Sequence, residues 1–555
     1  MRAPQVADLN ASGMSRSSGE RIVACAIVTA LTANFLWCAF TTLDYGLHSD
    51  ESRTIDAVRA TLRTGTLLPG WYNYPSLIYL VSVATAIGYV ANAFGVAEIE
   101  ATVRTMSAVG SDGVENLQNQ IDAVLAGHGF QQALRGVFAA LTATCGFMFL
   151  FAARAAGASW ISSSFAAAIA LTSFQVFYHS RWVGADGLVL VATAVAVGAA
   201  LRALRRDDEV SDKQDVFCWA HVSAAAAGVA TSAKYTAGVL MLLPLIVVWR
   251  ASRPGRFRLS VAVLGVFAGV YLLITPGTIV DPVRFVRHAL FEISRYKQFG
   301  AGGAYSVEAG SEFLIRILDF VTFRISSQSS TVSVFVIAAA LFGAFYAIVK
   351  DRLAAWVLLP VPLAYTLYLA SNQTLYVRNL LIVLPFIGVL AALGVDVVSR
   401  HPRVPLGRTV IPALSLAILG FGLPYLAAAR SSFEESTAPT WPSAIAAYIE
   451  ARPRTTFVLS KELNALTSNK HTQLAGSPSD APPESVYLYM LHEHQDRYVD
   501  PALRSIVNRR NIYEIVTGPR DIDLDYYPSG YGVKRVVAVN METAKVLNER
   551  PAQSR

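Results

Sequence analysis

Two carboxylates stand side by side in Leu47-His48-Ser49-Asp50-Glu51, shortly after an apolar run ends at Phe40. Adjacent acids at such an edge admit two readings. As a helix cap, Ser49 or Asp50 opens a helical segment over 51–63 and the acids favour its positive end. As chemistry, one carboxylate is a general base, held where a lipid-linked substrate meets a hydroxyl acceptor. A third acid, Asp186, ends the stretch Tyr178-His179-Ser180-Arg181-Trp182-Val183-Gly184-Ala185-Asp186 as another apolar run begins. Capping competes again, but a carboxylate and Arg181 at a membrane boundary cost energy to place, which favours a functional role.

Between these points lies Pro69-Gly70-Trp71-Tyr72-Asn73-Tyr74-Pro75-Ser76. Its Gly and Pro residues mark turns, and its aromatics suit either an interfacial belt or a wall against a sugar ring. Trp71, Tyr72 and Tyr74, with His48 nearby, are therefore candidates to line a sugar or acceptor.

The elements that must position these groups are membrane helices. The 555 residues are 54% hydrophobic and only 15% charged, with a mean hydropathy of +0.42; soluble domains carry about 25% charged residues. This excludes a disordered protein and a soluble enzyme with one anchor. Unbroken apolar runs exclude the alternation of a membrane β-barrel. The net charge of +7 resides in short clusters between apolar runs, RALRR (202–206), RASRPGRFR (250–258), KDR (350–352) and RHPRVPLGR (400–408), as the positive-inside rule requires. Nucleic acid is not an expected partner. The four cysteines (Cys25, Cys38, Cys145, Cys218) show no metal-ligand spacing and imply neither a disulfide framework nor a zinc site.

Apolar runs occur at 22–40, 76–96, 134–152, 159–178, 187–201, 217–232, 236–249, 259–275, 331–349, 353–370, 379–397 and 409–428. If all crossed, RALRR would face outward. Letting 76–96 lie at, or dip into, the outer leaflet without crossing puts every basic cluster inside. The expected architecture is thus a polytopic α-helical membrane protein of about eleven spans. A cytoplasmic N-terminus covers 1–21 and a transmembrane domain covers 22–429, with outward loops at 43–132 and 276–328. Residues 430–555 lose the long runs and read as a small soluble α/β domain on the outward side, with strands over 456–460 and 535–540 and a helix over 443–449.

Further motifs follow in order: TSAKYTAG (231–238), TPGTIVDPVRF (275–285) and YVRNLLIVLPF (376–386). With the acidic pair, the T-G-x-x-x-P turn, YP-x-L-x-Y and YHSRWVGAD, this ordered set resembles the GT-C superfamily of integral-membrane glycosyltransferases over roughly 20–400. The nearest branches are the protein O-mannosyltransferases and the aminoarabinose transferases that modify lipid A. The resemblance implies an inverting transfer of a sugar from a polyprenyl-phosphate carrier to a hydroxyl of a lipid, glycan or protein, on the periplasmic side. The basic-loop topology and the absence of organelle signals point to a bacterial inner membrane. The resemblance also implies Asp50 as the base, Glu51 as its adjacent support and Asp186 as a second acid that orients the acceptor. Polyprenyl phosphate leaves as an anion, so cations belong nearby. Arg378, Lys234, Arg181, Arg295 and Lys297 are the candidates, arginine offering a planar fork, with Tyr376 beside Arg378. Lys234 reads equally well as a snorkelling helix-end residue.

Whether Asp50 and Asp186 share a divalent metal (Mg or Mn) is left open by the residues. His492-Glu493-His494 with Asp496 reads more simply as a solvated loop than as a metal site. A transporter or flippase of a lipid-linked saccharide is the alternative, for which internal repeats and helices broken near the bilayer midplane are the expected marks.

Overall fold

The computed structural model describes residues 6–43, 49–73, 75–95, 111–208, 213–250, 255–298, 307–327, 329–401, 407–420, 441–459, 482, 484–490, 513–517 and 536–542. Among them, nine helices are long and apolar enough to cross a membrane. A tenth candidate is the pair Trp160–Thr172 and Phe174–Ser180, bent by 54° at Ser173. In its described part, every apolar run of the sequence falls on helix. Tyr235–Arg250 and Val410–Gly420 are shorter apolar helices among the described residues, which the count of nine or ten leaves out. Leu77–Phe94, expected to lie at or dip into the outer leaflet, is as a helix also long and apolar enough to cross.

Burial separates inner from outer helices. The most apolar stretches of Val377–Ser399 and Ala185–Arg205 are 89% and 83% buried, whereas that of Arg256–Ile274 is 11% buried. The last presents Phe257, Val261, Leu264 and Leu273 outward, as a lipid-facing helix does. Small residues draw inner helices together. A Cβ on Gly394 would overlap the Ala339 carbonyl, and one on Gly343 the Leu390 carbonyl, so Ser330–Lys350 and Leu384–Ser399 pack backbone to backbone.

Three of the four basic clusters, those at 202–206, 350–352 and 400–408, meet at one end of this bundle, where Arg205 and Arg400 reach the adjacent Ala156 and Gly157 carbonyls. Arg205 pairs with Asp351 at 2.8 Å, and Arg400 with Asp396 at 2.7 Å. Asp186 begins the helix that carries Arg205. Nineteen residues at ~1.5 Å each separate them by about 28 Å, close to the thickness of a bilayer's hydrocarbon core. Asp186 and the basic cluster therefore occupy opposite ends of the bundle.

The C-terminal region holds the helix Trp441–Glu450 and a four-stranded sheet of order β1-β2-β4-β3, with β1 Phe457–Leu459, β2 Val486–Met490, β3 Tyr513–Thr517 and β4 Val536–Asn540. β1 and β2 run parallel; the other pairings are antiparallel. Ile445, Phe457, Leu459, Leu488 and Ala538 form its own small core. The first and last strands and the helix fall where alternation in the sequence places them. The two strands in between escaped that reading.

Candidate active site

Three chain breaks converge on one cavity. Val216–Ala233 ends at Lys234, whose extended backbone (φ −153°, ψ 120°) interrupts the helix before a 3-10 turn over Tyr235–Met241. Tyr376 is likewise extended (φ −91°, ψ 113°) and leads into a 3-10 turn over Val377–Val383 that carries Arg378 and Asn379. Asp186 lies in the first turn of Ala185–Asp208. These ends place a carboxylate, an ammonium and a guanidinium around a cavity with about 660 Å³ of empty space.

Lys234 donates from Nζ to Asp186 Oδ1 at 2.7 Å, and both side chains are buried. The Arg378 guanidinium stacks 5.2 Å from the Trp182 ring centroid and 5.2 Å from that of Tyr376. Gly184 permits this packing, because a Cβ there would stand 2.7 Å from the Trp182 ring. The opposite wall comes from the Ser49–Thr64 helix and the turn after it. Arg53 lies 5.4 Å from the Trp71 ring centroid, and Arg53, Thr54, Trp71 and Ser76 line the same cavity. Among the described residues, Ser76 Oγ and Asn379 Oδ1 are buried without a hydrogen-bond partner. An unmet polar atom at a cavity wall marks a place for a polar ligand. Tyr296 completes the lining; burial beside Tyr376 pushes its phenol above the ordinary tyrosine value, so it stays a neutral donor.

The sequence candidates separate into three groups. Asp186, Lys234, Arg378 and Trp71 line the cavity. Asp50 belongs to the Ser49–Thr64 helix; its side chain, with His48 and Tyr74, lies outside the described residues. The remaining candidates are engaged elsewhere. Glu51, expected beside the base, is fully buried and accepts from Arg135 at 2.9 and 2.5 Å, from Gln131 and from the Val183 amide. Arg135 also donates to the Leu43 carbonyl at 2.8 Å. This pair ties the end of Val6–Phe40, the Ser49–Thr64 helix and the turn before Asp186 into one unit. Arg181 is buried against Phe177 and Tyr178 and donates to the Thr42 carbonyl at 3.1 Å. Tyr72 packs on Gly277, Phe285 and His288, with its amide donating to His288 Nδ1. Arg295 donates to the Tyr376 hydroxyl at 3.3 Å, and Lys297 is exposed. Tyr376 acts on the cavity through Arg378 and through Tyr296, whose ring it meets edge to face.

Arg53, Tyr296, Asn379 and Ser76 were missed by the sequence reading. Arg53 follows Asp50 by three residues, which on a helix puts the two on one face. That signal was present. Tyr296 stands between the two flagged cations Arg295 and Lys297, and consecutive helical residues point about 100° apart; only a helix in 276–328 singles it out.

The described donors do not fit a divalent ion. Asp186 already holds an ammonium beside Arg378, and among the described residues no three His, Cys, Asp or Glu side chains cluster. His492, Glu493, His494 and Asp496 lie outside the described residues.

No family model matches the chain, and no curated protein does. Among solved structures, the chain is similar to ArnT from Cupriavidus metallidurans bound to undecaprenyl phosphate, with 14% identity and a TM-score of 0.49, covering 93% of this chain and 98% of that one. It is also similar to the archaeal oligosaccharyltransferase AglB from Archaeoglobus fulgidus in complex with an inhibitory peptide and a dolichol-phosphate, with 11% identity and a TM-score of 0.45, covering 84% and 69%.

Proposed function

We propose that this protein is an inverting glycosyltransferase that moves a sugar from a polyprenyl-phosphate carrier to a hydroxyl acceptor at the cavity of Asp186, Lys234 and Arg378, on the periplasmic face of a bacterial inner membrane. The observation that carries the reading is that juxtaposition at one end of a membrane bundle, opposite the basic clusters. Charged groups held at a membrane boundary are costly and are kept for chemistry. The motif resemblance in the sequence points the same way.

In the reaction, the acceptor oxygen attacks the anomeric carbon from the face opposite the phosphate. The carbon–oxygen bond to the phosphate breaks, and the electron pair leaves with the phosphate. The acceptor's proton passes to the Asp50 carboxylate. Charge builds on the phosphate as that bond breaks, so cations fixed beforehand lower the barrier. Arg378 supplies a fork for the phosphate oxygens and Lys234 a point charge. Asp186 positions Lys234 and orients the acceptor. Trp71 offers an apolar face to the sugar ring, and Ser76 and Asn379 meet its hydroxyls.

The test is the fate of label in proteoliposomes given a radiolabelled polyprenyl-phosphate sugar and acceptor membranes. Recovery of label on the acceptor supports transfer. Label that stays on the polyprenyl carrier and only changes leaflet overturns it in favour of a flippase.

A further inference from the structure

The Pro282–Lys297 helix has two faces with different partners. One face joins the cavity wall: Phe285 packs on Tyr72 and Tyr235, His288 accepts the Tyr72 amide, Glu292 accepts from Asn73 at 2.5 Å, and Tyr296 lines the cavity. The other face carries Val283, Val286, Leu290 and Ile293 at the three- and four-residue spacing of one helical stripe. These are 71%, 51%, 59% and 50% exposed. Its residues range from half-buried on the cavity side to exposed on the stripe. At 16 residues it is too short and too charged to span. Its basic residues are Arg284, Arg287, Arg295 and Lys297. Arg284 pairs with Asp281 and Arg295 lies near Glu292, while no carboxylate among the described residues stands within 4.0 Å of Arg287 or Lys297. An amphipathic helix with an apolar stripe bordered by unmatched cations fits the boundary of an anionic bilayer, where the stripe enters the acyl region and the cations reach the headgroups.

We propose that the Pro282–Lys297 helix lies in the leaflet on the cavity's side, bound to anionic lipid through Arg287 and Lys297, and holds the cavity wall at headgroup level. The occupant of the apolar stripe is lipid. This inference does not depend on the sugar-transfer reading.

Spin labels test it on the full chain in nanodiscs. With the native cysteines replaced, single cysteines at Val286, Leu290, Ile293 and, as a polar reference off the stripe, Arg284 are labelled and their access to oxygen and to a water-soluble nickel chelate is measured. The expected result is oxygen access with nickel shielding at Val286, Leu290 and Ile293, and more nickel access at position 284. Adding an anionic phospholipid to a zwitterionic one shifts the stripe deeper, and an Arg287→Gln/Lys297→Gln variant loses that shift. Nickel access along the stripe overturns the proposal. Equal depth in the two lipid mixtures overturns the anionic assignment. Shielding from both reagents, or dipolar broadening between labels, places protein or a second copy on this face and also overturns it.

Discussion

Lys234 Nζ and Asp186 Oδ1 stand 2.7 Å apart across two helix ends that are 48 residues apart in the chain. Neither end closes the site alone. The pair joins the break after Val216–Ala233 to the start of Ala185–Asp208, and Arg378 comes to the same cavity from a third. A charge pair in so buried a place is tolerated because each member compensates the other's lost hydration.

Removing one member strands the other. Lys234→Met and Asp186→Leu should each destabilise the protein by about 3–5 kcal/mol, and the double variant by less than the sum of the two. Unfolding midpoints of the three variants in one detergent check this. Strict additivity would mean that the two groups do not interact.

The Glu51 and Arg135 side chains are fully buried together, but neither lines the cavity. Glu51→Gln leaves the guanidinium without its countercharge, at a cost of about 3–5 kcal/mol. The folded fraction should drop while the remaining folded protein keeps its affinity for the donor. Thermal stability and donor binding, measured on the same preparation, separate the two effects.

Arg378 should behave in the opposite way. Its loss removes a charge-assisted contact of about 1.5–3 kcal/mol, so Arg378→Gln should raise the donor KM by roughly 10- to 100-fold. Arg378→Lys restores charge without the fork and should fall between. Steady-state kinetics against donor concentration provide the check.

The Tyr296 phenol is held above its ordinary value of 10.0 by burial beside Tyr376. Folding thus favours the neutral phenol. Its contribution is fully present below about pH 10 and is lost as pH rises from there through the folded value. Tyr296→Phe should flatten the alkaline fall in unfolding midpoint above that pH and leave the neutral range unchanged.

The membrane bundle was legible because its signal is local: each apolar run is long, and each helix follows from its own residues. The cavity was legible in part. Asp186, Lys234 and Arg378 stand out as charges at the ends of apolar runs, where placing them is costly. Arg181 carries the same mark yet turns to the Thr42 carbonyl, a choice made by packing between helices distant in sequence. Glu51 and Asp50 are neighbours with no local difference, and it is Arg135, 84 residues on, that engages Glu51 in an ion pair. Tyr72 and Trp71 part in the same way, one buried against Phe285 and His288 and the other lining the cavity.

The most direct test of the central claim is transfer from a panel of radiolabelled polyprenyl-phosphate sugars by the purified protein and its Asp50→Asn variant, with acceptor membranes present and folding verified for both. The account predicts transfer from at least one donor by the wild type and a loss of about 100-fold or more in the variant, the range of a missing general base. Equal transfer by both would remove Asp50 from the chemistry, and no transfer from any donor would contradict the enzyme itself.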